Sequence, residues 1–307
     1  MRKRLLATTF TVTALSLAAC ATWMRGAPVT QHGDVAMLAD GVYFRHGELE
    51  KLGFCNNGWV VFEDFVLAVD ANFPDGAEIC LAEIRKVTDK PVRFVFDTHH
   101  HGDHAYGNHI WAQAGALPVA QENVVTEMDR LEPKRWQAAE AKREDIRKLN
   151  SADGPMRPVV TFPRSMVLAD STRRVELLHF GTAHTRGDGF AYLPKEKILF
   201  TGDVVVNGPY NFMGDGDTKS WLQVLDALSK LDVDIIAPGH GACTDRSLIA
   251  RQRAYIAFLR NAVADGVAAG KSLEDLQKTI QVPDDLRHYV GKMFPDQIEK
   301  IHSEMTG

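Results

Sequence analysis

Four histidines and an aspartate fall within seven residues of this chain, in the run Thr98-His99-His100-His101-Gly102-Asp103-His104. A packed core does not require such a density of imidazole and carboxylate, whereas a metal site does. Alternate residues of an extended segment point the same way, so His99 and His101 can share one ion. Asp103 and His104, further round the turn, can then face a second. Three more potential donors follow, each just after a strand-like run: His184 in Gly181-Thr182-Ala183-His184-Thr185-Arg186-Gly187-Asp188, Asp203 in Thr201-Gly202-Asp203, and His240 in Pro238-Gly239-His240-Gly241. Taken singly, His184 and His240 read as ordinary core or surface histidines and Asp203 as a turn cap. Their joint occurrence at strand ends points to metal binding. Imidazole and carboxylate ligands suit zinc, and the oxygen donors also admit iron or manganese. Two such cations close together lower the pKa of a shared water towards neutrality and polarise a carbonyl, which is the chemistry of hydrolysis.

The pattern His99-x-His101-x-Asp103-His104, followed in order by the other three segments over residues 57–241, resembles the metallo-β-lactamase superfamily. The resemblance implies an α/β fold, the αββα sandwich of that family. It also implies two zinc ions. His99, His101 and His184 would hold the first metal, Asp103, His104 and His240 the second, and Asp203 would bridge them. His100 fills the family's variable position and is not expected to be a ligand. Asp103 is implied as the catalytic carboxylate that orients the nucleophile, a metal-bridging hydroxide, and passes its proton to the leaving group. Thr98, Asp70 and Asp188 either hold ligands in place or are ordinary structural polar groups. Tyr210, Phe212, Met213 and Trp221 follow Asp203 and either line a pocket or pack in the core. The remaining histidines, His32, His46, His109, His179, His288 and His302, are read as ordinary.

These groups need elements to position them. Residues 59–62 and 66–69 read as a hairpin, and the β-rich run 92–96 delivers the chain into the histidine cluster, with a helix over 105–114 after it. Residues 122–149 are rich in Ala, Glu, Lys and Arg with periodic apolar positions, which predicts an exposed helix or helix pair. This helical insertion, about 122–155, is expected to cap the site. Strands are expected at 175–180, 190–193, 198–200 and 235–237, with a helix over 220–231. After residue 245 the pattern is helical, at 246–269, 272–280 and 296–304, broken by Gly270 and Pro283. The organisation is therefore a metallo-β-lactamase-fold domain over 20–245 with a C-terminal helical segment, 246–307, packed on it.

With 45% hydrophobic and 24% charged residues the 307-residue chain has ample material for a core. A net charge of -5 gives no reason to expect a nucleic-acid surface, so a small-molecule substrate fits better. Residues 1–19 read as a signal peptide, with Met1-Arg2-Lys3-Arg4 before a short apolar run. Leu17-Ala18-Ala19-Cys20 resembles a lipoprotein box, so Cys20 is the expected lipidation site and membrane contact is through that anchor. Ala21 after it favours the periplasmic side of the outer membrane. Export allows a disulfide, and Cys55 with Cys80 is one possibility beside three buried thiols. The expected activity is hydrolysis of an ester, lactone or amide bond of a small molecule. The alternatives are a β-lactamase and, from another class, a non-catalytic zinc-binding accessory lipoprotein. Asp103 argues against the last, since a binding scaffold has no use for a water-activating carboxylate.

Overall fold

The computed structural model describes residues 31–151 and 154–307. The expected signal peptide and the lipidation site Cys20 lie outside the described residues. Seven strands form one sheet in chain order: β1 (Val35–Ala39), β2 (Val42–Arg45), β3 (Asn57–Val61), β4 (Val66–Val69), β5 (Val92–Asp97), β6 (Leu117–Gln121) and β7 (Val160–Phe162). A second sheet contains β8 (Ser165–Ala169), β9 (Arg174–Leu178), β10 (Phe190–Leu193), β11 (Ile198–Gly202), β12 (Ile235–Pro238) and β13 (Thr244–Asp245), in the spatial order β13-β12-β11-β10-β9-β8.

The strands β4 and β11 are buried along their whole length, so each reads as a continuous apolar run instead of an alternating one. Phe44, Val60, Leu67 and Phe96 of the first sheet meet Val175, Leu177, Ala191 and Phe200 of the second in a shared core between the sheets. Helices cover both outer faces. On the first sheet these include α2 (Pro74–Val87), α3 (Gly102–Ala105), α4 (Asn108–Gln113), α5 (Glu122–Glu140) and α6 (Glu144–Leu149), while the short α1 (Leu49–Leu52) buries none of its residues. On the second lie α7 (Thr218–Leu228), α8 (Ser247–Ala268), α9 (Leu273–Thr279) and α10 (Phe294–Thr306). Trp59, Ala68, Cys80, Ile84 and Trp111 pack one outer layer; Leu199, Trp221, Leu225, Tyr255, Ile256 and Ile298 pack the other. The layers run helix, sheet, sheet, helix, as the αββα expectation required.

Three expectations shift in detail. The helix expected over 105–114 is two short helices separated at Tyr106 and Gly107. Gly107 sits hard against the backbone of Ala71, where a Cβ would lie 2.2 Å from the carbonyl oxygen, and its N–H donates to Asn72 O at 2.6 Å. The strand expected over 175–180 stops at Leu178. Cys55 and Cys80 are not bridged: both, with Cys243, are free buried thiols, each pushed up to about 12 by burial.

The strands β4, β5 and β6 run parallel, as do β11 and β12. The carboxyl ends of β4, β5, β11 and β12 carry Asp70, the histidine run, Asp203 and His240 to one edge of the sandwich. Ligand sites in α/β sheets form at such strand ends.

Candidate metal centre

Strand β5 ends at Asp97, residues 98–100 bend, and His101, with extended backbone, leads into Gly102 and the single turn of α3. This brings His99 Nε2 to 3.1 Å from His101 Nδ1, and His184 Nε2 to 3.0 Å from the same atom. The outward nitrogen of each ring meets an acceptor. His99 Nδ1 faces Thr98 Oγ1 at 3.1 Å, whose hydroxyl donates in turn to Asp70 Oδ1 at 2.7 Å. His101 Nε2 meets Asp215 Oδ2 at 2.8 Å, and His184 Nδ1 meets the carbonyl of Phe212 at 2.8 Å. Each acceptor holds the ring proton on the outer nitrogen, which leaves three inner lone pairs aimed at one point. Lone pairs gathered within 4.8 Å of one another repel unless a cation lies between them, and such a spacing suits nitrogens at about 2.0–2.1 Å from zinc.

A second group adjoins the first. Asp103 Oδ2 is 3.1 Å from His240 Nε2 and 3.5 Å from His104 Nε2, and the two imidazole nitrogens are 3.4 Å apart. Asp203 lies between the groups: Oδ1 is 3.4 Å from His104 Nε2, while Oδ2 is 3.4 Å from His240 Nε2 and 3.7 Å from His184 Nε2. It is the carboxylate that touches both. Glycine at 202 permits this, because its φ is +50° and a Cβ there would lie 2.4 Å from Thr98 Oγ1.

Burial, reinforced by the neighbouring histidines, holds His99 well below the usual imidazole range and takes His184 down to about 3. Both are neutral ligand donors at physiological pH. In the second group burial again opposes charge but is outweighed. His240 is raised to about 9, chiefly by Asp203 and Asp103, and His104 is raised by Cys55 and then by Asp70, Asp103 and Asp203. Asp103 and Asp203 stay well below the usual carboxylate range because His104 and His240 outweigh their burial. The charges in this group are balanced by protons that a bound cation would displace.

The seven donors named from the sequence therefore come together in two adjoining sets. Of the supporting residues, Asp70 accepts from the N–H and hydroxyl of Thr98 and places Oδ2 3.0 Å from His104 Nδ1. Asp188 acts one step back. It accepts from Ala183 N at 3.1 Å and from Thr185 N and Oγ1, shaping the loop that carries His184, and burial lifts it to about 7. Tyr210 and Phe212 line a cavity of about 380 Å³, with His101, Asp103, Asp203 and His240 at its floor. Trp221 and Met213 do not line it. Trp221 lies on the inner face of α7, fully buried, with Nε1 donating to Val204 O, and Met213 packs in the same core. His32, His109 and His179 each meet a backbone carbonyl, in keeping with their ordinary reading.

The sequence reading missed Glu132, Arg135 and Asp215. His100 turns away from the donors and its Nδ1 meets Glu132 Oε1 at 2.9 Å, while Tyr106 donates its hydroxyl to the other oxygen. Arg135 Nη1 reaches Glu132 at 3.0 Å, and its guanidinium grips Asp215 with two contacts of 2.7 and 2.9 Å. The helix α5 thus lies beside the site as the insertion was expected to. Gly214-Asp215-Gly216 carried one usable signal, an acid in a glycine turn after a suspected pocket segment.

Residues 51–240 match the metallo-beta-lactamase superfamily (Lactamase_B), and the chain belongs to that superfamily. Its histidine-rich donor set is a candidate metal site on that superfamily's fold. Among curated proteins, it is 24% identical over 264 residues to a linear primary-alkylsulfatase of Pseudomonas sp. (strain ATCC 19151), covering 74% of this chain and 50% of that protein. It is 29% identical over 155 residues to the 2,4-dinitroanisole O-demethylase subunit alpha of Nocardioides sp. (strain JS1661), covering 49% and 41% respectively. The chain spans about half the length of these relatives or less. Among solved structures, the sec-alkylsulfatase Pisa1 from Pseudomonas sp. superposes with a TM-score of 0.68 at 17% identity, over 90% of this chain and 50% of that one. A metallo-beta-lactamase from Pontibacter korlensis gives 0.60 at 21% identity, over 73% and 98%. These two likenesses are of fold.

Proposed function

We propose that the protein is a dinuclear zinc hydrolase that cleaves an ester bond linking a polar head to an apolar group. The observation that carries this reading is the sharing of Asp203 between two converging sets of donors. Bound there, two metal ions would supply Lewis acidity and a water ionised near neutral pH. His99, His101 and His184 would hold one ion; Asp103, His104 and His240 would hold the other. Asp103 lies on the cavity floor and is partly exposed, so its carboxylate is placed to take the nucleophile's proton and deliver it to the leaving group.

The walls argue for the apolar group. Leu49, Phe73, Phe212 and Met293 face the cavity, with the rings of Tyr106 and Tyr210 beside them. Arg135 is the permanent cation among the described lining residues, and Asp215 and Glu132 already neutralise it. A substrate with one polar head at the metals fits these walls better than a β-lactam, whose separate carboxylate finds no unpaired cation among the described lining residues. The likeness to a linear primary-alkylsulfatase adds sulfate esters to carboxylic esters and lactones as candidates.

The test is turnover by purified protein with defined zinc and with chelator, across sulfate esters, carboxylic esters, lactones and β-lactams graded in apolar size. Chelator-sensitive turnover that improves with apolar chain length is expected. Protein that binds two metal ions yet turns over none of these classes would overturn the ester-hydrolase reading.

A further inference from the structure

Two successive histidines of the strand-end motif, His100 and His101, are held from outside by one connected set of side chains. Asp215 Oδ2 takes His101 Nε2–H at 2.8 Å and Arg135 Nη1 at 2.7 Å, while Oδ1 takes Arg135 Nη2 at 2.9 Å. Arg135 also reaches Glu132, which holds His100 and the hydroxyl of Tyr106. Glu132 and Arg135 stand three apart on α5, so one face of this helix reaches His100 directly through Glu132 and His101 at one remove, through Arg135 and Asp215. The carboxylate of Asp215 therefore has both oxygens committed, and its orientation is set by the guanidinium fork.

We propose that Arg135 is a positioning residue: through Asp215 it fixes the ring orientation and tautomer of His101, making α5 a working part of the metal centre. This rests on the reading of His101 as a ligand of the first metal. Arg135 lacks direct contact with that metal's donors and acts through Asp215. Its planar fork is what matters, because a lysine ammonium cannot hold both oxygens in one plane. Asparagine at 215 fails for a related reason, since its amide nitrogen must face a donor on one side or the other.

The experiment uses metal-free protein titrated with zinc against a chromophoric chelator, and with cobalt for its visible spectrum. Wild type, Arg135→Ala, Arg135→Lys and Asp215→Asn are compared. Two ions are expected in wild type. The His101-containing site should lose about 10- to 100-fold in affinity in Arg135→Ala and Asp215→Asn, with Arg135→Lys recovering only part of it. Nitrogen-15 NMR of the metal-free protein gives a second readout: the His101 ring carries its proton on Nε2 in wild type and becomes a tautomer mixture in the variants. Affinities within twofold of wild type together with an unchanged His101 tautomer overturn the proposal. So does a loss of affinity that merely follows a lowered unfolding temperature of the metal-free variants, with the tautomer unchanged. Wild-type protein that takes up neither metal overturns the ligand reading itself and the proposal with it.

Discussion

Replacing Asp70 by Asn changes one atom and should act on one metal. Asp70 is buried, with φ at +63°, a conformation that asparagine tolerates as well as aspartate, so the backbone term is near zero. The amide orientation is decided by Thr98. Its N–H and its hydroxyl both donate to Oδ1, at 2.9 and 2.7 Å, so the amide oxygen must stay there and the NH₂ must take the place of Oδ2. That NH₂ then sits about where Oδ2 now lies, 3.0 Å from His104 Nδ1. Removing the carboxylate charge beside Nδ1, and setting an NH₂ there, takes away what favours the ring proton on that nitrogen and shifts it towards Nε2, which looks into the second donor set. The affinity of that set should fall by about 10- to 100-fold, or about 1.4–2.7 kcal/mol. The first set keeps its geometry because Thr98 still has its acceptor. Stepwise zinc titration of metal-free protein, with a urea melt to confirm folding, reads the difference. An unchanged second step, or equal weakening of both steps, refutes the tautomer argument. Alanine at 70 is the poorer probe, since each buried donor left unpaired costs about 1–3 kcal/mol and the fold itself suffers.

Further outcomes follow from the same geometry. Asp103→Ala should lower kcat by about 10²–10⁴-fold while one zinc ion remains bound, as checked by elemental analysis and steady-state kinetics. Gly202→Ala, which forces a Cβ into Thr98 at positive φ, should destabilise the chain by more than about 1 kcal/mol and reduce metal content, measured by thermal unfolding and metal assay. Chelation should lower the unfolding temperature and zinc restore it, with about 2.7 kcal/mol regained when free zinc is 100-fold above its Kd; an unfolding temperature indifferent to zinc counts against a bound metal. Cys20→Ser should release the protein from the membrane fraction of cells that process lipoproteins; retention there would argue against lipidation at this residue.

The donors were legible because their types are rare and their order is distinctive; no periodicity was needed to find His99, His101 or His240. The long elements were legible for the opposite reason. The repeating apolar face of α8 and the charged pattern of α5 both extend over many residues. The strand β6 escaped notice because Pro118 interrupts it, and β8 because its alternation is weak and largely exposed. Trp221 was ambiguous, since an aromatic residue near a site reads alike as wall or core until the inner face of its helix is known. Arg135 and Asp215 were out of reach for a plainer reason. They stand 80 residues apart, and the pattern of charges on α5 looks the same whether its arginines meet water or a half-buried carboxylate.

The segment after Asp203 bears unusually many duties for its length. Phe212 offers its carbonyl to His184, Asp215 its carboxylate to His101, and Tyr210 and Phe212 their rings to the cavity. Asn211 between them is gripped from the C-terminal helices, by Gln252 of α8 at its side chain and Gln297 of α10 at its carbonyl. Specificity and metal retention are therefore written into the same few residues. Remodelling the cavity here to admit a new substrate would disturb the ligand rings at once, whereas Leu49 and Phe73, which also line it, hold none of those rings. Laboratory evolution towards new substrates should accordingly accumulate its changes at Leu49 and Phe73 and leave residues 210–215 nearly untouched.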